Sequence, residues 1–401
     1  MKKNFSVLVK SKIKKFKKTI VVESDKSISH RALLIASQCV GATILKNILE
    51  SDDVKNTISC LKKLGVKIVK KNNIHIVYGN GLGSFKKPVN NSLYAGNSGT
   101  LARMLSALIS TNQNLRVKLF GDRSLNKRDM KRIIEPLSKI GCIFYPKNKS
   151  TLPLTIQGTS MPLAQKHFET IGSAQVKSCI LLAALNTPGT TTVVEKRISR
   201  NHTENLLKAI KANIKIKKTK IGKLIFVKGQ ENLSNFNLEI SGDPSSAAPF
   251  IILTLMTKGS KLLIKNVICN STRIGFIKIL KKMNANIQFK NLKTKKGELV
   301  GSILIKSSNL KPINCPKILV PSAIDEFPLL FVIASLINGT SVFSGINELR
   351  HKESDRIKSI ETGLNQIGIK TKSTMDTLKI FGRKKIKKTK KILKIFPKDD
   401  H

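Results

Sequence analysis

The sequence predicts an α/β fold assembled from one repeated unit, on three observations. Glycines follow apolar helical runs at Gly41, Gly189, Gly259 and Gly339, at separations of 148, 70 and 80 residues, the first of which is twice 74. A further unit therefore belongs between the first two, and Gly96-Asn97-Ser98-Gly99-Thr100 leads into the apolar run 101–109 there, with Asn112 and Asn114 near its expected stop. Each run then gives way to a short β-rich segment, a second amphipathic helix and another strand. Such a unit is longer than the roughly 20 to 50 residues of solenoid repeats, and its alternation of helix and strand points to α/β layers.

Taken in order, the chain starts with a basic stretch whose apolar residues are interrupted at Lys10 and Lys12, so residues 1–10 read as a mature N-terminal strand and not as a signal peptide. Ser24-Asp25-Lys26-Ser27-Ile28-Ser29-His30-Arg31 then precedes the apolar residues 32–36. A cap-like Ser/Asp before an apolar run marks a helix N-terminus, where free N–H groups and the helix dipole favour an anion. Lys26 and Arg31 add charge, so the stretch predicts a phosphate or carboxylate site. Comparable polar openings stand at Gly96 to Thr100, at Gly172-Ser173-Ala174-Gln175, at Gly242-Asp243-Pro244-Ser245-Ser246 and at Ala323-Ile324-Asp325-Glu326. Any one of them is explained by capping alone; five converging on a cleft would form an electropositive funnel.

Behind these openings the first helices are expected to close on the glycines named above. Strands are expected at 42–45, 190–194, 261–264 and 340–343, second helices at 53–64, 203–212, 273–283 and 354–367, and closing strands at 66–69 and 285–288. Gly79 to Gly83 reads as a turn. The second helices begin in charged clusters (123–128, 197–202 and 348–356) that a solvated, mixed-charge face would also explain. One more interval beyond Asp325 puts a sixth opening near 395–405, where the chain reads Pro397-Lys398-Asp399-Asp400-His401; six units are expected, the sixth incomplete.

Composition sets the limits. At 401 residues and 40% hydrophobic content the chain is long enough for two or more domains with ordinary cores. No apolar run reaches the roughly 18 to 20 residues of a membrane helix, which predicts a soluble protein without a membrane partner. The six cysteines are scattered, with no C-x-x-C pair or histidine cluster nearby, as in a reduced cytosolic protein without a zinc site. The formal charge of +49 suggests nucleic acid, but its lysines are spread over the whole chain, aromatics are 5% and tryptophan is absent, so stacking platforms are scarce. The charge reads as decoration of solvated faces, with a field that gathers anionic substrates. No P-loop, dinucleotide fingerprint, zincin or nucleophile-elbow pattern is present.

Taken together, Asp25 to Arg31, Gly96 to Thr100, Ser173-Ala174-Gln175-Val176-Lys177-Ser178, Gly242 to Ser246 and Arg350-His351-Lys352-Glu353-Ser354-Asp355-Arg356 closely resemble the 5-enolpyruvylshikimate-3-phosphate synthase family (3-phosphoshikimate 1-carboxyvinyltransferases). The match runs in order from about residue 7 onward, and Ser173-Ala174-Gln175 with Asn201-His202-Thr203-Glu204 is nearer the class II branch. The resemblance implies the enolpyruvyl-transferase fold: two inverse α/β barrel-like domains of βαβαββ units closing on substrate, one spanning 24–241 and the other combining 1–23 with 242–401, with crossovers near Glu23 and Gly242. It implies transfer of the enolpyruvyl group of phosphoenolpyruvate to the 5-hydroxyl of shikimate 3-phosphate, through a tetrahedral ketal that then loses phosphate, in the shikimate pathway to chorismate and aromatic amino acids. It implies no metal or organic cofactor, a monomer and a cytoplasmic location.

By the same resemblance Lys26, Ser27, Arg31, Ser173, Ala174, Gln175, Arg200, Asp325 and Lys352 would hold shikimate 3-phosphate, with Asp325 as base. Lys26, Asn97, Gly99, Arg128, Gln175 and Arg356, with Lys352 nearby, would line the phosphoenolpyruvate pocket. Glu353 would deliver a proton to the methylene carbon, Lys26 sharing the proton traffic. Gly99 stands where glyphosate-tolerant class II members carry alanine, which implies glyphosate sensitivity. The family's sixth unit opens with Asp-His-Arg, whereas here Asp400-His401 ends the sequence, so a truncated, inactive paralogue binding anions or nucleic acid is the alternative. The sister UDP-N-acetylglucosamine enolpyruvyl transferases fit less well, because Ser27 stands where they have asparagine and residues 119–128 contain no cysteine.

Overall fold

The computed structural model describes residues 11–113, 115–352 and 354–383. The expected first strand within 1–10, Asn114, Glu353 and the expected sixth opening lie outside them. Among the described residues, ten α-helices are distributed over five small sheets, and each sheet extends a parallel pairing by two antiparallel strands; in one of them two short strands, Leu233–Ser234 and Asn237–Glu239, run parallel to the same partner. Three sheets arise from consecutive βαβαββ units. In one, Ser92–Tyr94 runs parallel to Arg116–Phe120, followed by Leu154–Gln157 and Ile143–Tyr145. In the next, Lys166–Glu169 pairs with Thr190–Glu195, Gly222–Lys228 and Ile214–Thr219 follow. In the third, Asn314–Cys315 pairs with Gly339–Ser344, then Thr377–Gly382 and Lys370–Ser373.

The other two sheets exchange their first strands. Lys17–Val21, which precedes the first helix, runs parallel to Lys261–Ile268 in the sheet completed by Glu298–Lys306 and Asn286–Lys295. Asn237–Glu239, which precedes the seventh helix, runs parallel to Cys39–Lys46 in the sheet completed by Ile74–Asn80 and Lys67–Lys71. The two connections cross at the bridge Ser24–Gly242, fixed by Asp25 N–H to Ser241 O at 2.9 Å and Asp243 N–H to Glu23 O at 2.8 Å. Buried apolar side chains form two clusters, one drawn almost wholly from residues 28–240 and the other from 247–380.

Periodicity explains which helices go inside. The helices α1 (Lys26–Ala36), α3 (Gly99–Ser110) and α5 (Ala174–Leu185) are buried nearly all round, at nine, ten and ten of their residues, α1 with its first half polar. By contrast α2 (Asp52–Lys63), α4 (Lys131–Ile140) and α6 (His202–Ala209) bury one face against their sheets. In the second cluster α7 (Pro244–Met256) and α9 (Phe327–Ser335) are the apolar pair, and Phe327, Phe331 and Phe343 meet with centroids 5.0 to 5.9 Å apart. There α8 (Gly275–Lys282) and α10 (Arg356–Gln366) are the amphipathic partners. All six cysteines are buried, and burial pushes the thiols of Cys39, Cys60 and Cys142 up to about 12, so they are unreactive core residues.

Three expectations need correction. The four glycines do not close the helices, which end earlier at Ala36, Leu185, Met256 and Ser335. They carry the chain into the following strand at φ of +92°, +82°, +75° and +116°, a region open to glycine and strained for other residues. The expected helix 273–283 begins only at Gly275, and the expected helix 203–212 ends at Ala209. Arg273 is thereby released from helix geometry and turned inward.

Buried to 3% exposure, Arg273 touches the N-cap carboxylates of three helices: Asp243 of α7 at 2.8 Å, Glu326 of α9 at 3.2 Å and Asp25 of α1 at 3.8 Å. Asp243 also accepts from Lys26 N, and Glu326 from Ser245 Oγ. Burial raises the Asp25 and Glu326 carboxyls, with neighbouring Asp243 and Asp325 adding to the effect; Arg273 opposes it. Arg273→Met would leave three buried carboxylates without a cation, at a cost of about 3–5 kcal/mol near neutral pH. Because a carboxyl raised in the fold favours the folded state below its ordinary range and loses that benefit as pH rises, the deficit should shrink from pH 7 to pH 5. Urea unfolding of both chains at the two pH values checks this; a deficit independent of pH would contradict it.

Candidate active site

The openings of α1, α5, α7 and α9 meet at one cleft of about 3230 Å3, lined from both clusters. Seventeen lysines and arginines face it against six carboxylates, which makes it a basin for anions. Lys26, Ser27, Ser173, Ala174, Gln175, Arg128, Arg200, Asp325, Lys352 and Arg356 all line it. Each opening is built locally. Asp25 caps α1 by accepting from Ile28 N at 2.8 Å, Ser98 caps α3 through Leu101 N at 3.2 Å, and Ser173 caps α5 through Val176 N at 3.3 Å. The turn before Ser173 is tied by Glu169, whose Oε1 accepts from the N–H groups of Ile171, Gly172 and Ser173.

The stretch 24–31 divides into a front and a back. Lys26 Nζ stands 3.1 Å from Asp53 on α2, and Ser27 faces the cleft beside it. His30 is buried between Thr57 Oγ1 at 2.7 Å and Ser98 Oγ at 3.5 Å, and burial pushes its imidazole down to about 3, so it is a neutral link among α1, α2 and α3. Arg31 does not line the cleft. Its guanidinium is 3% exposed and donates to Ser27 O, Thr203 Oγ1 and Ser178 Oγ at 2.8 to 3.0 Å, which fixes Ser27 from behind. A fourfold helical spacing from Ser27 put Arg31 one turn deeper, a consequence that the opening's polarity concealed.

Asn97 and Gly99 also stand behind the lining residues. Asn97 Oδ1 accepts from Arg128 Nη2 at 2.9 Å and so aims that guanidinium. A Cβ at Gly99 would lie 2.8 Å from Arg103 Nη1 and 2.9 Å from Arg128 Nη1, so the missing methyl leaves room for both. Arg103 escaped notice because it sits inside an apolar run; the signal was a lone arginine in an otherwise buried helix. It lines the cleft and donates to Gln175 Oε1 at 2.5 Å, while Gln175 Nε2 donates to Thr100 Oγ1 at 3.0 Å. Glu353 lies outside the described residues.

Across the cleft, Asp325 gathers the remaining cations. Arg200 Nη2 approaches it at 2.5 Å from the first cluster's side, Lys352 Nζ at 3.2 Å and Arg356 Nη1 at 3.7 Å from its own side. Burial alone would raise this carboxyl, but Lys352, Arg200 and Arg273 outweigh it and hold Asp325 well below the usual carboxylate range. At the rim a second pair, Arg132 with Glu348 at 3.1 Å, also spans the two sides. The site thus combines helix ends, lysine and arginine side chains and an ionised aspartate. Its excess of cations over carboxylates fits anionic groups.

Comparison with known proteins agrees with this chemistry. Residues 10–392 match the family model described as EPSP synthase (3-phosphoshikimate 1-carboxyvinyltransferase). The chain is 41% identical over 377 residues to a 3-phosphoshikimate 1-carboxyvinyltransferase of Sulfurihydrogenibium sp., covering 94% of this chain and 87% of that protein. It is 42% identical over 374 residues to the protein of that name from Petrotoga mobilis, covering 92% and 84%. A solved structure of EPSP synthase from Acinetobacter baumannii superposes with a TM-score of 0.80 at 38% identity, covering 93% of this chain and 83% of that one. The chain belongs to the EPSP synthase family.

Proposed function

We propose that this chain transfers the enolpyruvyl group of phosphoenolpyruvate to the 5-hydroxyl of shikimate 3-phosphate, releasing phosphate. The observation that carries this reading is the basin itself: cations and helix openings from both sides converge on one cleft, in a chain that matches the family over residues 10–392. The segment 24–241 and the combination of 1–23 with 242–401 are read as its domains, and a cytoplasmic monomer as its working form.

In this reading Ser27, Ser173, Ala174, Gln175, Arg200 and Lys352 hold shikimate 3-phosphate, with Arg31 securing Ser27 from behind. Lys26, Arg128, Arg356 and the Gly99 opening, braced by Asn97, hold phosphoenolpyruvate. The 5-hydroxyl oxygen adds to C2 of phosphoenolpyruvate while a proton adds to its methylene carbon, giving the tetrahedral ketal; loss of a methyl proton and departure of phosphate then restore the double bond. Glu353 is assigned the carbon protonation with Lys26 as its partner in proton traffic.

Asp325 is assigned the role of base, and its charged setting bears on that role. A carboxylate held far below its ordinary range by three cations is a poor base. Incoming phosphate and carboxylate groups compete for Arg200 and Lys352, two of those three cations, and as they draw these away, Asp325 regains basicity next to the hydroxyl it must accept from. Substrate binding therefore switches on the base.

Two measurements follow. Phosphate release from phosphoenolpyruvate should require shikimate 3-phosphate; no release with both substrates present would contradict the assignment. Asp325→Asn removes the internal counter-ion of three cations, so the empty chain should bind inorganic phosphate several-fold more tightly by calorimetry while losing turnover. Unchanged or weaker phosphate binding would show that Asp325 does not compete with ligand anions.

A further inference from the structure

Three buried charges lie apart from the residues that line the cleft. Lys177 on α5 is completely buried, as is Glu195, and Glu204 is 1% exposed. Lys177 Nζ lies 2.6 Å from Glu195 Oε1 and 2.8 Å from Glu204 Oε1. Glu195 ends its strand, and the same Oε1 also accepts Ser199 N at 2.9 Å and Ser199 Oγ at 2.7 Å. Glu204 stands in the first turn of α6. One ammonium therefore grips both ends of the segment 195–204, whose middle carries Arg200 into the cleft.

A buried ion triad is a poor device for stability alone, since well-packed apolar groups of similar size hold elements together at least as well. What it adds is direction. Lys177 lies one turn behind Ser173, Ala174 and Gln175, so it ties the α5 opening and the Arg200 segment to a single atom. Ser199, pinned by Glu195, is the residue immediately before Arg200. The second carboxylate oxygens of Glu195 and Glu204 have no hydrogen-bond partner, so apart from the two Ser199 contacts the triad is held by Lys177.

We propose that Lys177 is a positioning residue for enolpyruvyl transfer: through Glu195 and Glu204 it sets Arg200 against Asp325 and against the Ser173–Gln175 opening, and so governs capture of shikimate 3-phosphate. This rests on the functional reading above. Without the ammonium, two buried carboxylates repel, Ser199 loses its fixed acceptor and Arg200 loses its aim, while the Lys26 and Arg128 side of the cleft is untouched.

The test is Lys177→Met in the full chain, alone and with Arg200→Ala, followed by phosphate release and checked for folding by circular dichroism. The KM for shikimate 3-phosphate should rise about tenfold while that for phosphoenolpyruvate stays within about twofold, and in the Arg200→Ala background Lys177→Met should add almost nothing, as expected for residues acting as one unit. Full additivity with Arg200→Ala, or equal changes in both KM values, would overturn the proposal. If Lys177→Met does not fold, Glu204→Gln releases one arm of the grip and should shift the same KM in the same direction; no shift, or one additive with Arg200→Ala, overturns it. A wild-type chain that binds no shikimate 3-phosphate and releases no phosphate would instead overturn the functional reading, and the proposal with it.

Discussion

One guanidinium holds the architecture at its crossing point. Arg273 sits where the two connections exchange strands, and the three carboxylates it touches are the N-caps of α1, α7 and α9. Asp25 and Asp243 accept from the free N–H groups of Ile28 and Ser245, and Glu326 stands at the start of α9, so their positions set where the helix openings point. A single buried cation among three acids leaves the cluster electrically tight: moving any one helix start would strand a charge. That constraint makes the cleft a defined shape instead of a gap between two bodies.

From this hub the chemistry spreads outward in layers. Lys26 and Ser27 follow Asp25 directly, and Ser245 follows Asp243 and reaches Glu326. Asp325, next to Glu326, turns the other way into the cleft and meets Arg200 from across it. Neighbouring residues thus do opposite work, one buried with its carboxyl raised and one half-buried with its carboxyl depressed. The His202–Glu298 contact at 2.8 Å, joined by Asn205 and Asn270, adds a second polar link between the two clusters near the crossing. Folding and ligand capture depend on the same few charges.

Much of this was legible in the sequence because repetition exposes what a single unit hides. Five polar openings, five apolar runs and the interval between them gave the units, and the amphipathic second helices fell within a few residues of their places. The glycines were located correctly but assigned the wrong task, since a residue's positive φ cannot be read from its neighbours; the helices ended sooner and the glycines turned the chain into strands. Depth was the harder quantity. Arg31, His30 and Arg273 look like exposed polar residues in sequence, and only three-dimensional packing shows them buried among polar partners. Arg103 and Lys177 were hidden for the opposite reason, as lone cations inside apolar runs where burial is expected of their neighbours.

The account's central claim is that the cleft joins two anions by a carbon–oxygen bond and does not merely collect them. Incubation with carbon-labelled phosphoenolpyruvate and shikimate 3-phosphate, followed by mass spectrometry, tests that claim directly. The account predicts label in the shikimate-derived product, with one phosphate released for each enolpyruvyl group transferred. Label appearing only in pyruvate, or remaining in phosphoenolpyruvate, would contradict it.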